Sequence, residues 1–83
     1  MRVIYFAWLR ERVGRAEEEI TFPGEVTTIE DAIDHLASLD ETYVHAFAER
    51  TAVRAALDKR VAEHDAPLGD ARELAFFPPM TGG

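Results

Sequence analysis

The chain has 83 residues, 47% hydrophobic and 30% charged, with no cysteine and a formal net charge of -7. This length encloses one modest core, and the composition is that of a folded domain. Without cysteine there are no disulfides, no thiolate metal sites and no cysteine nucleophile, and the acidic balance disfavours nucleic acid and anionic membranes as partners. We therefore expect one domain that binds basic protein surfaces.

The first third of the chain predicts two strands. Residues 1–7 are apolar on both faces, which predicts a central strand that is covered on both sides. This run is too short to span a membrane and is not followed by the small-residue cleavage pattern of a signal peptide, so we expect a cytoplasmic location. Residues 9–14 predict a short helical turn ended by glycine. Residues 19–22 alternate polar and apolar, which predicts a second strand near an edge.

The middle of the chain predicts the main helix. Apolar residues recur at intervals of three and four over residues 29–37, the period of a helix that buries one face against a sheet. Thr28 with Asp31 resembles a capping box at the start of this helix, although glutamate or glutamine is more usual at the second position. An aromatic pair between residues 41 and 50, four positions apart, suggests a second short helix.

The rest of the chain predicts three further strands. Two short strands flank Asp58-Lys59, which has the spacing of a two-residue hairpin turn but lacks the usual glycine. The last strand covers residues 73–77, and Pro78-Pro79 ends it because proline cannot donate to a strand ladder. The two strands of the hairpin are predicted at residues 53–57 and 60–62.

This order of elements, ββαβββ, predicts an α+β fold. The first and last strands are the most apolar, so both belong at the middle of the sheet, and a helix-bearing crossover allows them to be parallel neighbours. A mixed sheet of about five strands covered by one main helix is the ubiquitin-like β-grasp arrangement. We expect this domain in residues 1–77 and a projecting arm in residues 78–83, which reaches roughly 20 Å when extended.

The arm is predicted to be a narrow, extended segment with a reactive carboxylate at its end. Pro78 and Pro79 restrict the backbone to extended conformations, so less freedom is lost on binding. Gly82 and Gly83 have no Cβ, and the terminal carboxylate can therefore enter a narrow site. We predict Gly83 as the reactive residue and Gly82 as part of its slender support. The alternative is a frayed end with no role.

Two phenylalanines are predicted beside the exit of the arm. Phe6 follows the first strand and Phe77 ends the last one, so they lie at matching ends of two predicted neighbours. Aromatic residues of a short domain usually belong to its core. The alternative interpretation is an exposed docking patch for a larger partner, with Arg10 at its rim.

The histidines and the acidic runs carry no predicted chemistry. No two of the three histidines are three or four residues apart and no cysteine joins them, so no metal site is predicted. The acidic runs are expected on solvated faces. These residues are His35, His45 and His64, the run Glu17–Glu19, and residues 40 and 41.

The carboxyl-terminal sequence Phe-Phe-Pro-Pro-Met-Thr-Gly-Gly at residues 76–83 resembles the signature of molybdopterin synthase small subunits. The run of aromatic, alanine, arginine-glutamate and glycine residues at 5–14 and the segment 65–68 are also similar to that family. The similarity covers nearly the whole chain, and the terminal motif is its most specific part. One departure is Asp58, where the family commonly carries asparagine.

The resemblance implies a sulfur carrier in molybdenum cofactor biosynthesis that is not catalytic alone and binds no cofactor tightly. A ubiquitin-activating-type enzyme would use ATP and magnesium to adenylate Gly83, and a sulfur donor protein would convert the adenylate to a thiocarboxylate. The arm would then enter the large subunit of the synthase and give sulfur to a pyranopterin precursor. The residues implied to contact the large subunit are Phe6, Arg10, Phe77, Pro78, Pro79, Met80 and Thr81.

Three other functions are compatible with a Gly-Gly end. A carrier for thiamine thiazole synthesis shares the fold and the activation chemistry, although the Phe-Phe-Pro-Pro sequence that leads to the terminal residues argues against it. A ubiquitin-like modifier would be conjugated through Gly83 to protein lysines, and the sole lysine, Lys59, leaves little scope for chain building. An interaction module with an inert tail is the third.

Overall fold

The computed structural model describes residues 1–79, which form one mixed five-stranded sheet with helices packed on it. The strands are β1 (Arg2–Tyr5), β2 (Glu17–Glu19), β3 (Arg54–Leu57), β4 (Arg60–Ala62) and β5 (Glu73–Phe77). The helices are α1 (Ala7–Val13), α2 (Ile29–Ala37) and α3 (Glu41–Ala46), followed by a 3-10 turn at Arg50–Ala52. The predicted ββαβββ order is confirmed, with α1 and α3 as additions to the main helix α2.

The first and last strands lie side by side within the sheet, as predicted. The spatial order is β2-β1-β5-β3-β4. β1 and β5 are parallel, with Val3 opposite Leu74 and Tyr5 opposite Phe76, and the other neighbouring pairs are antiparallel. Because β5 is the central strand, the chain that follows Phe77 leaves from the middle of the sheet.

The core lies between the helices and one face of the sheet. Its largest fully buried side chains are Tyr5, Phe76, Leu9, Ile29, Ile33, Leu36, Leu74 and Val3. Phe76 stacks on Tyr5 at 6.3 Å between ring centroids and meets Phe47 edge to face at 4.9 Å. Strand alternation therefore separates the two adjacent phenylalanines of β5, since Phe76 points into the core and Phe77 points to the opposite face.

The capping box at the start of α2 is confirmed. The Thr28 hydroxyl accepts from the backbone N–H of Asp31 at 3.1 Å, and the Asp31 carboxylate accepts from the backbone N–H of Thr28 at 3.2 Å. The same carboxylate accepts from the backbone and the hydroxyl of Thr27. These hydrogen bonds, led by the one from the Thr27 backbone, lower the pKa of Asp31.

The second strand is displaced from its predicted position at residues 19–22. β2 covers Glu17–Glu19, and its register with β1 places Glu19 opposite Arg2. The Arg2 guanidinium lies 3.1 Å from the Glu17 carboxylate, so a cross-strand ion pair accompanies this register. Ile20 and Phe22, whose alternation suggested the strand, do pack against the core but lie after β2.

The expectation that the glutamates of β2 are all solvated is wrong for Glu18. Its side chain is only 11% exposed, while Glu17 and Glu19 are exposed. The Glu18 carboxylate accepts from the hydroxyls of Tyr5 at 2.7 Å and Tyr43 at 2.6 Å. Strand alternation explains the difference, because it turns the middle residue of the run toward the helices.

The hairpin between β3 and β4 has the predicted two-residue turn, although the turn contains no glycine. Asp58 has φ 48° and Lys59 has φ 70°, so both adopt the left-handed conformation of a type I′ turn. The Asp58 carboxylate accepts from the backbone N–H groups of Arg72 and Glu73, each at 3.0 Å. Aspartate is one of the residues that tolerate this conformation best, which accounts for the turn without glycine.

Candidate functional site

The face of the sheet that the helices leave open carries an apolar groove of about 490 Å³. Side chains from alternate positions of four strands line it. The apolar lining residues are Ile4, Phe6, Ala56, Val61, Ala75 and Phe77, and the charged ones are Arg2, Lys59 and Glu73. The prediction that the first strand is covered on both faces is therefore wrong for the described chain, since residues 1–79 cover only one face.

Phe6 and Phe77 both line this groove, at the strand ends that precede the arm. Tyr5 pairs with Phe76 in the parallel ladder, and the backbone N–H of Phe6 donates to the Phe76 carbonyl at 3.0 Å. Phe6 and Phe77 thus occupy equivalent positions at the ends of β1 and β5, as predicted. Phe6 is 46% exposed. Their contact with a larger partner remains a prediction.

The turn from β1 into α1 sets the position of Phe6. Phe6 is still extended, whereas the next residue, Ala7, has φ 54° and begins the helix. A left-handed conformation costs an L-residue roughly 1–2 kcal/mol, which the packing of β1 and α1 must offset. Sequence reasoning missed Ala7, because no glycine or asparagine marks this position.

Arg10 does not line the groove. It lies exposed on α1, whose Leu9 and Val13 are buried among the helices on the other face of the sheet. Arg10 therefore does not join Phe6 and Phe77 as a lining residue of the groove. Its predicted role at the rim of a docking patch would need a partner that reaches around the end of the sheet.

The arm begins directly at the groove. β5 ends at Phe77, and Pro78 and Pro79 follow in a partly buried, irregular segment. The predicted contact residues Met80 and Thr81 and the predicted reactive pair Gly82 and Gly83 lie outside the described residues. Pro78 and Pro79 thus continue the strand that forms the centre of the groove.

The titratable side chains of the described chain do not gather into a metal site. Within residues 1–79 no three histidine, aspartate or glutamate side chains are placed to hold a metal ion. His64 instead forms a hydrogen bond within the fold, with its Nε2 at 2.8 Å from the Val53 carbonyl oxygen. None of the helices in this part of the chain combines the length and the apolar content of a bilayer crossing.

Comparisons with known sequences match the whole chain. Residues 3–83 match the ThiS family. The molybdopterin synthase sulfur carrier subunit of Escherichia coli is 35% identical over 83 residues, covering 100% of this chain and 99% of that protein. The corresponding subunit of Haemophilus influenzae is 29% identical with the same coverage.

Comparisons with solved structures confirm the ubiquitin-like β-grasp fold. SAMP1 from Haloferax volcanii superposes with a TM-score of 0.72 at 25% identity, over 100% of this chain and 98% of that chain. A putative molybdopterin converting factor, subunit 1, from Pyrococcus furiosus superposes with a TM-score of 0.73 at 30% identity, over 94% of each chain. The similarity thus extends from the sheet to its connections.

Proposed function

Because the chain belongs to the ThiS family, we propose that it is a sulfur carrier in molybdenum cofactor biosynthesis and the small subunit of a molybdopterin synthase. The observation that carries the proposal is the full-length similarity to a molybdopterin synthase sulfur carrier subunit, in a chain that ends in Gly82-Gly83. The arm's departure from the central strand supports it, since a tip joined there can extend from a rigid base. The cytoplasm is the proposed location.

The proposed chemistry begins with activation of the Gly83 carboxylate. A carboxylate oxygen attacks the α-phosphorus of ATP, pyrophosphate leaves, and an acyl-adenylate forms. A donor protein then releases sulfur as hydrosulfide, which attacks the acyl carbon; AMP leaves, and loss of the remaining sulfur-bound proton gives the thiocarboxylate. Adenylation is needed because the carboxylate oxygen is a poor leaving group. The ATP and magnesium sites belong to the activating partner, a protein of the ubiquitin-activating type.

Delivery uses the arm and the groove together. The thiocarboxylate sulfur, a soft nucleophile, attacks an oxygen-bearing carbon of the pyranopterin precursor in the large subunit, and that carbon–oxygen bond breaks. Water then cleaves the acyl carbon–sulfur bond, which leaves the sulfur on the product and restores the carboxylate. Gly82 keeps the approach to the reacting carbon narrow. Phe6 and Phe77 dock on the large subunit beside the arm, where each contributes about 1–3 kcal/mol of apolar burial.

Loading of Gly83 tests this function. The chain is incubated with its activating enzyme, ATP and a sulfide source, and intact-protein mass spectrometry follows the exchange of one carboxylate oxygen for sulfur. We expect the exchange in the native chain and not in a variant with one residue added after Gly83, whose fold should be unchanged. An unmodified native chain, with an activating enzyme that loads another carrier, would refute the proposal.

A further inference from the structure

The backbone at the junction between β1 and α1 is strained. Within residues 1–79, three residues other than glycine have positive φ, and two of them, Asp58 and Lys59, form the hairpin turn in which that conformation is expected. The third is Ala7, with φ 54° at the first position of α1. Glycine adopts a left-handed conformation without strain, whereas alanine does not. The conformation of Ala7 therefore needs an explanation other than turn geometry.

The side chain of Ala7 does not compensate for this strain. Ala7 is exposed, and among the described residues it belongs neither to the core nor to the lining of the groove. The neighbouring hydrogen bonds use the backbone of Phe6, whose N–H donates to the Phe76 carbonyl at 3.0 Å and whose carbonyl accepts from the Leu9 N–H at 3.1 Å. Glycine at position 7 would keep both bonds and lose no buried area. For the stability of the fold alone, glycine would be the better residue.

An exposed Cβ has a second effect, which is to restrict the backbone. Glycine populates both signs of φ, whereas alanine is confined to a few regions. At this junction the restriction acts on Phe6, which is extended with φ -116° and ψ 153° and lines the groove. The next turn of the chain carries Leu9 into the core on the other face of the sheet. Ala7 thus limits the directions that Phe6 can take where the chain passes from one face to the other.

We propose that Ala7 is a positioning residue for docking, and that its strain is retained because the alanine Cβ holds Phe6 in the orientation in which it contacts the large subunit. The partner then receives an aromatic side chain that is already ordered, so less conformational entropy is lost on binding. This inference rests on the proposed function, in which Phe6 docks on the large subunit. Ala7 itself makes no contact with the partner.

Ala7→Gly separates stability from positioning. Relief of the left-handed strain should outweigh the freedom that glycine adds to the unfolded chain, so the variant should melt higher, by up to about 6 °C. Its affinity for the large subunit, measured by calorimetry, should nevertheless fall roughly three- to tenfold. Ala48→Gly is the matched control, because Ala48 is exposed, has no positive φ and does not line the groove. This control should melt about 2–5 °C lower with unchanged affinity.

A chain with D-alanine at position 7 should give a different combination. The D residue favours positive φ and still has a Cβ, so the strain is relieved while the junction stays restricted. Ala7→D-Ala, made by chemical synthesis, should therefore melt higher than the native chain and bind the large subunit within about twofold of the native affinity.

Hydrogen exchange reports on the junction without the partner. The backbone N–H of Phe6 is bonded to the Phe76 carbonyl, so its exchange rate measures local opening between β1 and α1. In Ala7→Gly this amide should exchange at least about threefold faster than in the native chain. Core amides such as that of Leu74 should exchange more slowly, in line with the higher melting temperature.

The outcomes separate the positioning role from the proposed function. If the native chain does not bind the large subunit, the proposed function fails and the role of Ala7 with it. If the native chain binds but the folded Ala7→Gly variant binds equally well, or melts lower than the native chain, the positioning role alone is wrong. An equal loss of affinity in the glycine and D-alanine chains would show that the Cβ contacts the partner directly and would also overturn the inference.

Discussion

Glu18 has an environment unlike that of its sequence neighbours. It lies between two exposed glutamates, yet its carboxylate accepts hydrogen bonds from Tyr5 and Tyr43 and pairs with Arg15 at 3.0 Å. These contacts join β1, β2 and α3 at one carboxylate. An ionised acceptor of this kind is stronger than a neutral one, so we expect it to stabilise the packing of α3 on the sheet.

Replacing Glu18 by alanine should lower the free energy of unfolding by about 1–3 kcal/mol, because two tyrosine hydroxyls lose their acceptor in a mostly buried place. Glu17→Ala is the matched control. It removes the same side chain one residue earlier, on an exposed position whose ion pair with Arg2 contributes about 0–1 kcal/mol. Urea unfolding measures both, and equal effects would show that the shared carboxylate has no special role.

The same cluster predicts an alkaline loss of stability. Burial, and then the hydrogen bond to Glu18, raises the pKa of Tyr43 to about 12, and the same causes raise the pKa of Tyr5. An unfolded tyrosine loses its proton near pH 10 while the folded one keeps it. Stability should therefore be complete below about pH 10 and should fall as the pH rises toward 12.

Tyr43→Phe tests this pH dependence by removing one of the two tyrosine hydroxyls. Its stability should decline less steeply between about pH 10 and 12 than that of the native chain, because one fewer proton is released on unfolding. Denaturant unfolding at a series of pH values measures the slope. An unchanged slope would mean that Tyr43 does not titrate differently in the folded and unfolded chains.

At the scale of elements, the β3–β4 hairpin is joined to β5 through one side chain. The Asp58 carboxylate bonds to two backbone N–H groups at the start of β5, and the backbone N–H of Asp58 donates to the Glu73 carbonyl at 3.0 Å. The turn that closes the hairpin therefore also fixes the beginning of the central strand. Asparagine, which the resembling family commonly carries here, could accept the same bonds.

Asp58→Ala should lower the free energy of unfolding by about 1–2 kcal/mol, since it removes both bonds to β5 and places alanine in a left-handed conformation. Asp58→Asn should stay within about 0.5 kcal/mol of the native chain, because its amide oxygen still accepts and asparagine tolerates that conformation. Thermal and urea unfolding distinguish the two. A loss in the asparagine variant as large as in the alanine variant would point to the carboxylate charge instead.

The sequence predicted those elements that are marked by local sequence features. The period of α2, the two-residue spacing at Asp58-Lys59 and the stop at Pro78-Pro79 are local features, and the structure has them where expected. The position of β2 depends on which residues pair with Arg2, and the left-handed Ala7 depends on the packing of α1. Neither the position of β2 nor the conformation of Ala7 can be predicted from the local sequence pattern.

The candidate site was predictable in part for the same reason. Parallel pairing of two apolar strands was enough to bring Phe6 and Phe77 together. The contribution of Ala56 and Ala75 to the groove was not predictable, because small side chains in a strand give no signal until their neighbours across the sheet are known. The sequence could not show whether Arg10 lines the groove, since the side of the sheet on which α1 packs is a tertiary property.

At the scale of the molecule, the sheet separates two surfaces with different tasks. One face is buried under three helices and supplies the core, and the other is an open groove with the arm at its end. The central strand β5 belongs to both, through Phe76 on one face and Phe77 on the other. A partner bound at the groove would thus sit against a rigid sheet while it received the arm.

Single-turnover sulfur transfer tests this account most directly. The chain is given a Gly83 thiocarboxylate by chemical means and is mixed with the large subunit of its synthase and the cyclic pyranopterin precursor. We expect the chain to return to its carboxylate form while its sulfur appears in the dithiolene of the product. A thiocarboxylate that persists under conditions in which another carrier is consumed, or a chain that becomes attached to protein lysines, would contradict the account.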